Sequence, residues 1–409
     1  MMREFKGRSY PPDLEIRRVT YEQGGKEKGE NIVYANPVSV IISVSETGKV
    51  STRKQYHPKQ SPNEKYQDSD SWARKHLGVK SRQYTFLGEI DPWGKYLSQD
   101  CTVYVDMPLS VYSPQIAGLL IPYVDALLPG MYAEDADLTI VSALFKLKLW
   151  LEYRSQSGQM MKAPQLLNLD RRTHGTPTEA NEWMRIFNNR IESSNDGGNE
   201  DHDGNEAGGL VLLDLQDRRD YVTTLRKIVT RYPEMSAKAQ AQDFQFPEDI
   251  DISTNDLRVA FLKERRSAQG TDTLNTIGGG VLPGQKASDA FRTELTQETM
   301  MVAPTVGSVQ LLASGYSDKT LLSTKTFIFL ANRAKIGQPD EIVRALQKRD
   351  EIFRTETVMV PLTELLHLIA TGEIRDARII SALSTLFKVE DYKQHYEQAV
   401  RYMTKRLRE

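Results

Sequence analysis

A chain of 409 residues, 39% hydrophobic and 26% charged, is long enough to bury a sizeable core and reads as a soluble protein of two lobes. No apolar run approaches the ~20 residues that cross a bilayer, the opening Met1-Met2-Arg3-Glu4-Phe5-Lys6 lacks the apolar segment of a secretory signal, and a lone Cys101 excludes an internal disulfide or a cysteine zinc site, as suits a reducing compartment. The formal net charge of −2 excludes a generic polybasic nucleic-acid binder, so any basic groove must be local.

In chain order, residues 1–30 carry many charges and few apolar positions, which predicts a mobile arm with little core of its own. From residue 31 strands follow. Pro37–Glu46 is β-branched, Thr47-Gly48 signals a turn, Val50–Tyr56 returns, and Tyr84–Gly88 and Thr102–Asp106 add two more. They predict a small antiparallel sheet, with residues 58–75 as a polar loop. Val111–Leu128, rich in Ile, Leu and Val, predicts a helix stopped by Leu128-Pro129-Gly130. Asp135 and Asp137 then open a helix to about Arg154, with Leu138, Val141, Phe145 and Leu149 on one stripe and Lys146, Lys148 and Arg154 off it. The alternation around Leu147 and Leu149 keeps a strand as the alternative there.

Residues 180–191 predict another helix. Glu192–Gly209 holds six acidic residues and no Lys or Arg, and its Gly and Asn content predicts a disordered insert. Leu210–Tyr232 predicts a helix carrying Arg218, Arg219, Arg226, Lys227 and Arg231, ended by Pro233. The second half reads as alternating helices and loops. Leu257–Arg266 is a short basic helix, Ser267–Gly280 a glycine-bearing loop, and Pro304–Ser314, Asp340–Phe353 and Pro361–Ala370 follow. A last helix, about Val389–Leu407, places Arg401, Lys405 and Arg408 on one face, the densest basic face in the chain.

The central stretch runs from Gly315 to Lys325. Lys319 and Lys325 stand among hydroxyl side chains, and hydroxyls, amides and ammonium groups are the donors that hold phosphate oxygens. Thr326–Ala334 behind it reads as a buried helix, with Arg333 and Lys335 at its far end; a solvated turn before a core helix is the alternative. A cationic track for a single strand would use Arg154, Arg226 with Arg231, Lys319 with Lys325, Arg333 with Lys335, and Arg408.

Catalysis finds little support. The six histidines form no metal-binding spacing, no cofactor is implied, and no Gly-x-Ser-x-Gly elbow occurs. Gly278–Lys286 is similar to a phosphate loop, but Gln285 separates Gly284 from Lys286 and no strong strand is read before it, so the expectation is a protein that is not an enzyme and holds no metal.

Four anchors resemble rhabdovirus nucleoproteins. Leu128-Pro129 leads through an acidic stretch and an apolar helix to Tyr153-Arg154, with Gln159-Met160 after it. Ile228–Tyr232 is similar to the family's Ile-Val-Ser-Arg-Phe. Leu282–Gln285 is followed by Gly315–Thr324, which is similar to a family turn, and by Gln338–Glu341. Ala399–Glu409 resembles the family's last basic helix. The anchors touch the chain from about residue 128 onward, densely only in short patches. The family's Pro-Tyr is Leu321-Leu322 here, Ser157 stands where a second basic residue is usual, and the family's long exchange loop is largely absent.

The resemblance implies RNA-phosphate roles for Arg154, Lys319 and Arg408, and more loosely Arg226. With the residues' own reading it gives the expectation carried forward. That is a mainly α, two-lobed nucleoprotein of a negative-strand RNA virus, with an N-terminal arm (1–30), an N-terminal lobe (31–232) holding the small β-sheet and the insert (192–209), and a C-terminal helical lobe (233–409). Single-stranded RNA would lie in the cleft between lobes. The arm would link copies into a helical homo-oligomeric nucleocapsid, with viral phosphoprotein and polymerase as further partners, in the virion and host cytoplasm, with no membrane insertion. A capsid or scaffold protein without an RNA cleft is the alternative.

Overall fold

The computed structural model describes residues 14–56, 84–107, 113–161, 176–193, 205–230, 257–317, 324–337 and 356–409, with short breaks inside these ranges. The expected loop at 58–75, the helix at Asp340–Phe353 and most of the acidic insert lie outside the described residues. The mainly α expectation is overturned: the chain is mixed α/β, built on an eight-stranded mixed sheet and a separate four-stranded sheet.

The arm holds a strand pair. β1 (Leu14–Gln23) runs antiparallel to β2 (Lys26–Ala35), in register from Leu14↔Ala35 to Gln23↔Lys26. The small sheet forms where alternation and turn residues placed it, from β3 (Val38–Val44), β4 (Val50–Tyr56), β5 (Tyr84–Ile90) and β6 (Cys101–Asp106) in the order β4-β3-β6-β5. It is mixed rather than antiparallel, because β3 and β6 pair in parallel.

Helix α1 (Pro114–Leu127) starts on Ser113, whose hydroxyl accepts from the Ile116 amide at 3.3 Å, with proline at the first position where no donor is lost. Strand β7 (Ala133–Asp137) leads directly into α2 (Leu138–Ser157). The Asp137 carboxylate caps α2 by accepting from the Ile140 amide at 3.1 Å, and Gly158 ends it in the left-handed region at φ 71. Continuous burial along α2, Trp150 and Lys146 included, makes it the helix on which the others pack.

The large sheet takes the residues expected to be helical. Its members are β7, β8 (Glu206–Leu213), β9 (Arg258–Arg266), β10 (Thr271–Asn275), β11 (Ile277–Gly280), β12 (Val309–Tyr316), β13 (Lys325–Asn332) and β14 (Glu356–Pro361). The order is β10-β9-β8-β13-β12-β7, with β11 also on β8 and β14 on β9. Four expectations are thereby corrected. The basic helix at Leu257–Arg266 is β9, the loop at Ser267–Gly280 is β10 and β11, Pro304–Ser314 leads into β12, and the buried helix at Thr326–Ala334 is β13.

The physical reason is burial on both faces. In β8 and β13, Leu210, Leu212, Ile328 and Leu330 face the core shared with α2, while Val211, Leu213, Phe329 and Ala331 face a second core under α3 (Ala287–Thr299). A strand covered on both sides reads as an unbroken apolar run, which periodicity cannot separate from a buried helix.

Two further corrections follow. The helix expected at 180–191 is a hairpin of Met184–Phe187 with Arg190–Ser193. The insert expected to be disordered is strand at both described ends, since Glu192 and Ser193 belong to that hairpin and Glu206–Gly209 to β8. Leu210–Leu213, expected as helix, complete β8, and among the described residues of that expected helix helical backbone appears at 216–220, 223–224 and 230. The lobe expected to be helical from 233 contributes six strands to the large sheet. Besides α3, it is helical only toward its end among the described residues, at α4 (Leu365–Thr371), α5 (Ala377–Leu386), unpredicted from the sequence, and α6 (Lys393–Arg406), the expected last helix. The sheet itself takes strands from both sides of residue 232.

One buried charge makes the packing of α2 testable. Lys146 Nζ donates to the Ile369 carbonyl at 3.1 Å, and burial, with the Arg375 guanidinium nearby, pushes its pKa down to about 8. Below pH 8 the amine is protonated in both states and the buried charge costs about 3 kcal/mol. Between about pH 8 and 10.5 the native state sheds the proton first, so stability rises with pH. Lys146→Met should therefore gain most over wild type at pH 7 and lose that advantage by pH 10, measured by urea denaturation of both proteins across that range.

Candidate nucleic-acid interface

Of the sequence-selected cations, Arg226, Arg231, Lys319 and Arg333 lie outside the described residues. The other four sit on three different parts of the molecule. Arg408 lies just past α6 and donates to the Gln156 carbonyl at 2.7 Å, which ties the end of α6 to the end of α2. Beside it an open groove of about 440 Å³ is lined by Gln156, Arg401, Thr404, Lys405, Arg408 and Glu409. Thr404 and Gln156 bond through their side chains at 3.3 Å to form an uncharged floor.

The groove exists because α6 is amphipathic. Ala399, Val400 and Met403 are buried, which turns Arg401 and Lys405 to solvent one turn apart, with Arg408 following. Glu409 is held by Arg406 at 2.8 Å, so those two charges cancel locally. Two helix C-termini also end here, each worth roughly half a negative charge. Three uncompensated cations exceed that, and the groove stays attractive to anions. Arg401 and Lys405 belong to the basic face legible in the sequence; Gln156 and Thr404 carried no such signal.

Arg154 is near this end of α2 but does not line the groove. Its Nη1 donates to the Gly158 carbonyl at 2.6 Å, and residues two apart on a helix face different ways, so Arg154 points away from Gln156. Lys325 is at the opposite end of α2. It opens β13, pairs with Asp135 at 3.0 Å and lies over the Phe327 ring at 5.5 Å; the Asp135 carboxylate raises its pKa by accepting its hydrogen bond. About 30 Å of helix separates the two ends. Strands β12 and β13 pair antiparallel with Tyr316 opposite Lys325, and the Ser317 carbonyl accepts from the Thr139 hydroxyl at 2.5 Å. Lys335 is exposed in the short ladder of Met301–Val302 with Lys335–Ile336, beyond the far end of β13.

A second arrangement was judged incomplete in the sequence. Strand β10 precedes the stretch, Gly278–Gly280 themselves lie within strand β11, and α3 begins directly after Lys286. Two carboxylates of α3 face the glycines. Glu298 Oε2 accepts from the Gly278 amide at 2.9 Å, and a Cβ added to Gly279 would meet Glu294 Oε1 at 2.6 Å. Among the described residues no group of three or more His, Cys, Asp or Glu side chains is placed to hold a metal ion.

No family model matches the chain, and no curated protein matches it. A solved structure, the crystal structure of an ADP compounds hydrolase, aligns over 52% of this chain and 84% of its own, at 14% identity and a TM-score of 0.30. That TM-score is too low to carry an argument about fold or activity. The geometry alone yields a test of the glycine–helix unit. Glu298→Ala leaves the Gly278 amide without this acceptor and should cost roughly 1–3 kcal/mol, read as a lower denaturation midpoint at unchanged slope; an unshifted midpoint would mean that the bond contributes nothing.

Proposed function

We propose that the chain binds the phosphate backbone of single-stranded RNA along the groove at the end of α6, through Arg401, Lys405 and Arg408, without reading sequence. The observation that supports this is the convergence on one open groove of three cations that have no ion pair among the described residues, over an uncharged floor. Cations on a regular helical face suit a repeating backbone, and nothing in the lining is shaped for a base edge. The narrower reading, a nucleoprotein that encapsidates a viral genome, rests on the sequence anchors, since the helical frame implied by the rhabdovirus resemblance is not the frame of this chain.

A second reading has its own observation. Strand β11, which takes in Gly278–Gly280, leads into the N-terminus of α3 just after Lys286, and a helix start is where phosphate can be held. A nucleotide hydrolase would release phosphate from nucleoside phosphates and lose that turnover in Lys286→Ala.

The RNA reading predicts a salt signature. Fluorescence anisotropy with labelled homopolymer and mixed-sequence RNA should give similar affinities, with log Kobs falling against log salt at roughly −0.7 per phosphate contact, or about −2 for three. Lys405→Ala and Arg408→Ala should each flatten the slope by roughly 0.7, whereas Arg154→Ala, which points away, should leave it unchanged. A slope that survives removal of all three groove cations would sink the proposal.

A further inference from the structure

Helix α1 breaks the rule that solvent-facing helices are amphipathic. Its sequence, Pro-Gln-Ile-Ala-Gly-Leu-Leu-Ile-Pro-Tyr-Val-Asp-Ala-Leu, contains one ionisable residue of charge, Asp125, and that is turned to Lys148 of α2 at 2.6 Å. The inner face, Ala117, Leu120 and Val124, packs into the core. The outer face is equally apolar. Leu119, Tyr123 and Leu127 are 68%, 59% and 49% exposed and recur every fourth residue, with exposed Gln115, Pro122 and Ala126 beside them. A helix hydrophobic all round belongs in an interior.

We propose that the outer face of α1 pairs with the same face of a second copy, about a two-fold axis at Tyr123. Three observations select a second copy as the occupant. First, the face is uncharged and the whole chain has a formal net charge of only −2, so like-charge repulsion between copies is slight; a lipid surface would instead favour Lys and Arg flanking the apolar stripe, and α1 has neither. Second, the stripe is self-complementary. Tyr123 stands midway between Leu119 and Leu127, so antiparallel pairing sets Leu119 of one copy against Leu127 of the other, as a two-fold contact requires. Third, the central side chain is presented by a fixed support. A Cβ on Gly48 in the β3–β4 turn would lie 4.0 Å from the Tyr123 ring and 3.4 Å from Leu120, so the ring sits against that turn. A rigid aromatic at the centre of an apolar patch is the usual form of an interface anchor.

The size of the face sets the strength. A helix of 14 residues is about 21 Å long, and its stripe alone falls short of the roughly 800 Å² per partner of a standard interface. The dimer is therefore a weak one, dissociating in the micromolar range.

Sedimentation equilibrium of the full chain over a concentration series tests this. The mass should rise from monomer to dimer in the micromolar range for wild type and stay monomeric in the Leu119→Arg/Leu127→Arg double variant, whose exposed positions leave folding intact by circular dichroism. Tyr123→Cys should cross-link to itself with a short bismaleimide, because Cys101 is the only other cysteine and is buried. A wild-type monomer at every concentration overturns the proposal, as does a dimer that persists in the double variant. A Tyr123→Cys form that still dimerises by sedimentation but does not cross-link overturns the two-fold arrangement.

Discussion

The burial of α2 is the constraint on which the rest of the structure depends. The helix is covered along most of its length, and its polar groups are answered inside the core rather than by water. Ser142 donates to the Ala377 carbonyl at 3.0 Å, Ser381 donates to the Leu138 carbonyl at 3.0 Å, and the two hydroxyls lie 3.2 Å apart. These bonds pin α5 to the first turns of α2. At mid-helix, Lys148 reaches Asp125 on α1 and lies over the Tyr396 ring of α6 at 4.4 Å. Leaving any of these buried groups unpaired would cost about 1–3 kcal/mol, so α1, α5 and α6 have little freedom to rearrange around α2.

That constraint also decides where charge can gather. Burial strips water from the middle of α2, so a cation there is either ion-paired, as Lys148 is with Asp125, or held by a carbonyl at a cost in stability, as Lys146 is by that of Ile369; solvated cations gather at its ends. Lys325 and Lys54 collect at the N-terminal end, where Asp135 and Asp137 neutralise them at 3.0 and 2.7 Å. Among the described residues the acid lining the groove at the C-terminal end is Glu409, which is already taken by Arg406, so Arg401, Lys405 and Arg408 face mainly the two helix ends. A phosphate-binding surface is thus favoured at one end of α2 and disfavoured at the other, although the sequence presents similar numbers of lysines and arginines to both.

How much of this was legible follows from what each signal measures. The small sheet, α1, α2 and α6 were readable, because β-branched runs broken by Thr47-Gly48, an apolar run stopped by Leu128-Pro129-Gly130, acids at Asp135 and Asp137, and three-to-four spacing are local properties. The large sheet was not. Its strands are covered on both faces, so β13 shows no alternation, and β9 and β14 pair across about a hundred residues of sequence. Gly208 and Gly209 read as disorder in the sequence, yet they serve close packing. A Cβ on Gly209 would fall 2.4 Å from the Phe329 carbonyl oxygen and 2.9 Å from the Phe291 ring, so only glycine lets α3 lie this near the sheet. The site was half legible: the spacing of Arg401, Lys405 and Arg408 showed a basic face, but the partner surface at Gln156 depends on how α6 crosses α2.

The two proposals concern the same end of the molecule and strengthen one another. α1 runs against α2 so that a Cβ on Gly118 would lie 3.0 Å from the Ser155 hydroxyl, one residue from the Gln156 that floors the groove. A two-fold axis through Tyr123 would therefore carry two cationic grooves on one particle. Each groove alone, with three phosphate contacts, is a weak binder at physiological salt. A single strand long enough to reach both would meet the second groove at a high effective concentration, so avidity would exceed either affinity without any new contact. On the two proposals together, binding would depend on RNA length more steeply than the charge of one groove allows.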